Sequence, residues 1–142
     1  MSSPNNAGSP TGSIDWILDD LVRTPHTRHA LLTSADGLVV ALSHATGKDR
    51  GDRTAAAVSG LQALSRTAAE FADCESEPLE QTLIQFSGGY FIIMAAERGS
   101  VLALSASKEA DIAIVSDAMV NVIARLGRAM AVPERDSIST GS

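Results

Sequence analysis

The sequence predicts a single α+β domain in which an antiparallel sheet of about five strands lies between helices, in the order α-β-β-α-β-β-β-α. Three observations predict it. The chain has 142 residues, 44% of them hydrophobic and 20% charged, which suits one ordinary core and is too apolar for a wholly disordered chain. Five short apolar runs are bounded by turn residues, as strands are. Three longer stretches repeat their apolar residues at helical spacing.

Residues 1–12 and 132–142 are rich in Pro, Ser, Gly and Thr and read as disordered tails around a domain of residues 13–131. Ser13 is placed to cap a first helix whose apolar face is Ile14, Ile17, Leu18, Leu21 and Val22, and Pro25 ends it. Ala30-Leu31-Leu32-Thr33 and Leu38-Val39-Val40-Ala41-Leu42 flank Ser34-Ala35-Asp36-Gly37, a β-hairpin in which Asp36 and Gly37 have the structural role of forming the turn. Asp52 is the expected cap of a second helix running to about Ala72, with Val58, Leu61, Leu64, Ala68 and Phe71 as its core stripe. A separate face of that helix carries only small residues, Ala56, Gly60, Ala63 and Thr67, spaced for close approach by another helix. Three strands follow, Thr82–Phe86, Tyr90–Ala96 and Val101–Leu104, with Gly88 and Gly89 in the first connecting turn. The run Tyr90–Ala96 is apolar on both faces, as expected of a central strand. A last helix spans about Ala110–Met130, with Ile112, Val115, Met119, Val122, Ile123 and Leu126 on one stripe.

The formal net charge is −6, and the 11 basic residues are scattered, which argues against a nucleic-acid surface. Between Arg66 and Arg98 there is no basic residue, whereas Glu70, Asp73, Glu75, Glu77 and Glu80 fall close together. Such a stretch is either a solvated acidic loop or an attractive surface for a basic partner. No apolar run approaches the length of a membrane helix and the N-terminal residues lack the pattern of a secretory signal, so a cytoplasmic location is expected. Cys74 has no second cysteine to pair with and reads as a small buried or half-buried residue.

Catalytic constellations are missing. Gly47-Lys48 lacks the first glycine and the Ser or Thr of a phosphate-binding loop. His26, His29 and His44 match no zinc spacing and suggest no general base; the first two read as part of a solvated helix–strand connection. The paired acids Asp19 and Asp20 read as the polar side of a surface helix. No catalytic residue, metal or cofactor is expected, and function is expected to reside in surfaces.

The segments Ile14-Asp15-Trp16-Ile17-Leu18-Asp19-Asp20-Leu21, His29 through Ala41, and Ala57-Val58-Ser59-Gly60-Leu61, in this order and spacing, resemble the Roadblock/dynein light chain 7 family, most of all its actinobacterial single-domain members. The hairpin Ser34, Asp36, Gly37, Leu38 is the most specific element, and the resemblance covers about Ser13 to Gly127. It implies a profilin-like or longin-like fold with the long second helix on one face of the sheet and the other two on the opposite face. It also implies a non-catalytic regulator that homodimerises through the second helix and third strand and binds a small Ras-like GTPase. By the same resemblance a sensor histidine kinase-like membrane protein is a possible further partner, which would recruit the complex to the inner membrane face without direct membrane insertion by this chain.

Two features of the residues fit that implication. The small face Ala56, Gly60, Ala63, Thr67 suits packing against a symmetry mate, and the strand containing Thr82, Ile84 and Phe86 has neither Lys nor Pro to guard it if it is an edge. Glu75, Glu77 and Glu80 are the acidic candidates for contact with a basic partner surface. No arginine or glutamine suggests itself as a transition-state finger. The rival readings are a PAS-like sensory domain, which needs a ligand cavity that an aromatic content of 4% disfavours, and a small hydrolase, which lacks base and nucleophile.

Overall fold

The structure, a computed structural model, describes residues 10–141 and, of their side chains, those of residues 14–130. The elements are α1 (Pro10–Leu21), β1 (Thr27–Thr33), β2 (Val39–Leu42), α2 (Lys48–Phe71), β3 (Gln81–Phe86), β4 (Gly89–Ala95), a single 3-10 turn at Glu97–Gly99, β5 (Val101–Ser107) and α3 (Ile112–Gly141). The predicted order is therefore observed. The expected domain limits at residues 13 and 131 fall inside α1 and α3, and residues 1–9 and 142 of the expected tails lie outside the described residues.

All strand pairs are antiparallel, and the sheet order is β2-β1-β5-β4-β3. The central strand is thus β5, not the Tyr90–Ala96 run. β5 enters between β1 and β4, so Leu102 pairs with Leu32 on one side and with Met94 on the other. Its two faces pack into different clusters, Leu102 and Leu104 into one and Val101 and Ala103 into the other, and Val101 to Leu104 are all buried.

α1 and α3 cover one face. Leu18, Leu32, Ile92, Leu102, Leu104, Val115 and Met119 form the centre of that core, each burial contributing about 1.5–3 kcal/mol relative to exposure. α2 lies on the other face over a smaller cluster of Leu31, Val58, Ile93, Val101 and Ala103. Asp111 caps α3, its Oδ1 accepting from the Ala113 N–H at 3.0 Å and the Ile114 N–H at 3.4 Å. The expected cap of α2 is not Asp52: the helix starts at Lys48 behind Gly47, and Asp52 instead takes the Lys48 ammonium at 2.7 Å. α1 likewise begins at Pro10, ahead of Ser13, a first-turn position that suits proline.

The turns follow their residues. In the β1–β2 hairpin the Gly37 N–H donates to the Ser34 carbonyl at 3.0 Å, and Gly37 sits at φ 83°, which a side chain would strain. The β3–β4 turn is Ser87-Gly88 alone. Gly89 is already the first residue of β4, and a Cβ there would come within 2.3 Å of the Ala106 carbonyl oxygen. Its lack of a side chain serves strand packing rather than turn geometry.

Candidate functional site

The expected core stripe of α2 is not a core stripe along its whole length. Ala55 and Val58 are buried and Leu61 is half-buried, but Leu64 is 69% exposed, Phe71 is 96% exposed and Ala68 is exposed. A step of three residues along a helix drifts by roughly 60°, so the series from Val58 to Phe71 turns off the sheet by roughly 140°. Leu64 and Phe71 come instead onto the side that carries Ala56, Gly60, Ala63 and Thr67, all exposed. A Cβ at Gly60 would meet no atom within 4 Å. The outward side of α2 is therefore a shallow apolar surface with larger side chains toward its C-terminal end.

β3 is an edge of the sheet, as its unguarded sequence suggested. Thr82 pairs with Ile93 and Ile84 with Phe91, and these β4 residues pack with the α2-side cluster, so Thr82, Ile84 and Phe86 share the sheet face that carries α2. Phe86 is 60% exposed there, and Leu83 is exposed on the opposite face. Between the C-terminal half of α2, the connection 72–80 and the start of β3 runs an open groove of about 1290 Å³. Leu61, Leu64, Pro78 and Leu79 line it beside Glu70, Glu75, Glu77 and Glu80. The fold thus brings the three acidic candidates next to Thr82 and the far half of α2. The small residues Ala56, Gly60, Ala63 and Thr67 turn away from the groove rather than lining it. Cys74 is half-buried at its edge, with Sγ 3.4 Å from the Ala72 carbonyl oxygen.

The opposite edge is finished by carboxylates that sequence reasoning placed on a bland surface. In β2 the Ser43 N–H after it turns inward to the Ala30 carbonyl, so the Leu42 N–H points out of the sheet, where Asp15 Oδ1 accepts it at 3.1 Å. Asp19 Oδ1 accepts the His44 N–H at 2.6 Å. Asp20 pairs with Arg125 of α3 at 2.9 Å, and the same guanidinium lies 5.2 Å from the centre of the Trp16 ring. Burial raises the Asp15 carboxyl above its ordinary range, opposed by the Leu42 N–H and reinforced by the charge of Asp19. The i, i+4 spacing of Asp15 and Asp19 put both on one helix face. Only the fold shows that β2 lies against it.

His29, expected in a solvated connection, belongs to β1, which starts at Thr27 rather than Ala30. Arg50 of α2 donates to its Nε2 at 2.6 Å, since a guanidinium has only donors. Thr46 Oγ1 lies 3.4 Å from Nδ1 and 2.6 Å from Ser43 Oγ, which accepts the Ala30 N–H. The network joins the first turn of α2 to β1. Burial, then the charges of Arg50 and Arg28, hold the imidazole below its usual pKa. Among the described residues no group of three or more His, Cys, Asp or Glu side chains is arranged to hold a metal ion, and no helix is long and apolar enough to cross a membrane. What the surface does offer is recognition: an edge of backbone donors and acceptors, an apolar helix side and an acidic groove.

The Roadblock/LC7 domain family matches residues 14–106 of the chain. The crystal structure of a Roadblock/LC7 domain from Streptomyces avermitilis is 31% identical, with a TM-score of 0.75 over 82% of this chain and 96% of that one. A second Roadblock/LC7 domain structure from the same organism is 32% identical, with a TM-score of 0.65 over 79% of this chain and 96% of that one. The gliding protein mglB of Thermus thermophilus shares the fold at 21% identity, with a TM-score of 0.72 over 86% of this chain and 91% of that one. Among curated proteins, none matches the sequence.

Proposed function

Since the chain belongs to the Roadblock/LC7 family, we propose that it is a non-catalytic regulatory module that pairs with a second copy of itself and binds a small Ras-like GTPase, modulating that enzyme's nucleotide cycle or its location. The observation that carries this reading is the exposure, on one half of one face, of an unguarded sheet edge together with an apolar helix side. β3 leaves its outer backbone groups unpaired within the sheet, and Leu64 and Phe71 are open to solvent. Monomers seldom leave such surfaces uncovered.

In this reading Ala56, Gly60, Ala63 and Thr67 of α2 and Thr82, Ile84 and Phe86 of β3 form the contact between copies. Glu75, Glu77 and Glu80 face a basic surface of the GTPase and speed its encounter. No arginine or glutamine among the described residues is assigned as a transition-state finger, and in this reading the chain acts by positioning the GTPase's own residues. The setting is cytoplasmic. A sensor histidine kinase-like membrane protein, if it joins the complex, brings it to the inner membrane face.

The test is capture from native lysate with the tagged protein, with and without a non-hydrolysable GTP analogue. A small GTPase retained in a nucleotide-dependent manner is the expected result, and the Glu75→Gln/Glu77→Gln/Glu80→Gln variant should capture it more slowly, with a flatter dependence on salt. Retention of the protein alone would overturn the GTPase reading. The PAS-like alternative finds no support in the groove, which is open and edged by carboxylates rather than an enclosed ligand cavity.

A further inference from the structure

The layer of α1 and α3 is narrower than the sheet it covers. Packed helices lie roughly 9 Å apart and strands roughly 4.8 Å, so two helices cover about four strands, and this sheet has five. α1 is held at the β2 edge through Asp15 and Asp19, and α3 beside it through the Asp20–Arg125 pair. The strand left over is β3, which presents Gln81, Leu83 and Gln85 on this face, all exposed.

The flank of α3 turned toward β3 is apolar. Val120, Ile123 and Gly127 share it by helical spacing, with Val120 55% exposed and Ile123 half-buried. Between this flank and the start of β3 lies a notch of about 360 Å³, lined by Val120, Ile123, Met94, Ala95, Glu80 and Gln81. Glu80 and Gln81 also border the α2 groove, so the start of β3 separates the two. The charges beside the notch are of one sign. Glu80 lines it, and the Glu97 carboxylate lies against α3 further along the same flank, where a Cβ at Gly127 would come within 2.8 Å of it. Within residues 112–130, Arg125 is on the opposite flank with Asp20, while Asp117 and Arg128 fall roughly 150° or more from the buried stripe, on the outward side. Arg98, next to Glu97 on the turn, is not a free cation.

We propose that this notch is the docking site of a basic amphipathic helix from a partner protein, laid beside α3 as a third helix of the layer, with its apolar stripe on Leu83, Val120 and Ile123 and a Lys or Arg of its rim on Glu80. The occupant is a helix because the next place in the layer, one helix spacing beyond α3, falls over β3 and the position outside it. A strand would instead add in the plane of the sheet and leave the notch empty. The helix is basic because an apolar notch bordered by Glu80 and Glu97 attracts a cationic rim and disfavours an acidic one. Gln81 and Gln85 offer amide donors and acceptors to its polar side. The site lies on the face of the sheet opposite α2, and of the residues assigned to GTPase capture it shares only Glu80.

Amide NMR of the full chain tests it, by titration with an amphipathic leucine–lysine peptide of about 18 residues, long enough to hold a helix. Two control peptides carry glutamate in place of lysine, or the same residues scrambled so that no stripe forms. The leucine–lysine peptide is expected to shift residues 81–85, 94–95 and 119–124 saturably, and each control to bind at least about tenfold more weakly. Val120→Asp should weaken binding about tenfold and Glu80→Gln about threefold. Both variants should keep the wild-type unfolding midpoint, since Val120 and Glu80 are exposed. Shifts confined to residues 61–80 would place the peptide in the α2 groove and overturn the proposal, as would the absence of shifts. Binding that survives Val120→Asp would be charge attraction without a docking site, and overturns it too. If Val120→Asp weakens self-association in sedimentation equilibrium, this face is a contact between copies and the partner helix is wrong.

Discussion

The two edges of the sheet are finished in opposite ways. At β2, the outward Leu42 N–H is met by Asp15 and the following His44 N–H by Asp19, both from α1, which is itself clasped to α3 by Arg125. At β3, nothing among the described residues lies beyond the strand, and Ile84 and Phe86 stand beside the uncovered half of α2. The contrast teaches which edge the chain closes for itself and which it leaves open. One edge is closed from within the chain by placing acids against it, a common way of preventing further pairing. The other has been left with apolar side chains and no charge.

Removing the closed edge's protection should have the largest effect. The Asp15→Ala/Asp19→Ala variant is expected to lose about 2 kcal/mol in denaturant unfolding, since two backbone N–H groups lose charged acceptors. An unchanged midpoint would mean that water replaces the carboxylates at no cost and that the edge is closed by shape alone. At the open edge, Ile84→Lys installs the guard that is missing. It should leave protomer unfolding within about 0.5 kcal/mol of wild type, yet weaken self-association about tenfold by light scattering. An intact dimer would remove β3 from the contact.

A smaller effect separates the anchored end of α2 from its free end. His29 has its pKa lowered below the ordinary 6.5, so the unfolded chain binds a proton that the folded chain resists. Stability contributed by the His29–Arg50 contact is therefore present above that pH and is lost as the pH falls through it. Urea unfolding of wild type between about pH 7.5 and 5.5 should show this decline, and His29→Gln should flatten it. A slope unchanged in the variant would assign the decline to other groups.

The element order was legible because apolar period alone separates the helices from the strands. The hairpin at Asp36-Gly37 was legible because its turn requires what glycine supplies. Position within the sheet was another matter. Tyr90–Ala96 is more continuously apolar than Val101–Ser107, yet β5 is central, because β1 and β4 both pair with it and no local pattern encodes that choice. Leu64 and Phe71 were misread for a related reason: spacing tells which residues share a helix side, not what lies beneath it. β1 began three residues early because Thr27, Arg28 and His29 carry no apolar signal, only a ladder with Ala106 and Ser105. Asp15, Asp19 and Arg50 could not be assigned from sequence, since their partners are remote in the chain.

The insertion of β5 between β1 and β4 also governs how the chain reaches its structure. The β1–β2 and β3–β4 hairpins can each form locally, but neither touches the other until Val101–Ser107 is available to bridge them. A nascent chain on the ribosome therefore holds two separate ribbons, each with one naked apolar face, until almost the whole sheet has been synthesised. Closure over so long a chain segment makes folding slower than the helical content suggests, and a polypeptide interrupted before β5 has no central strand to unite its halves and is a natural substrate for chaperones and proteases.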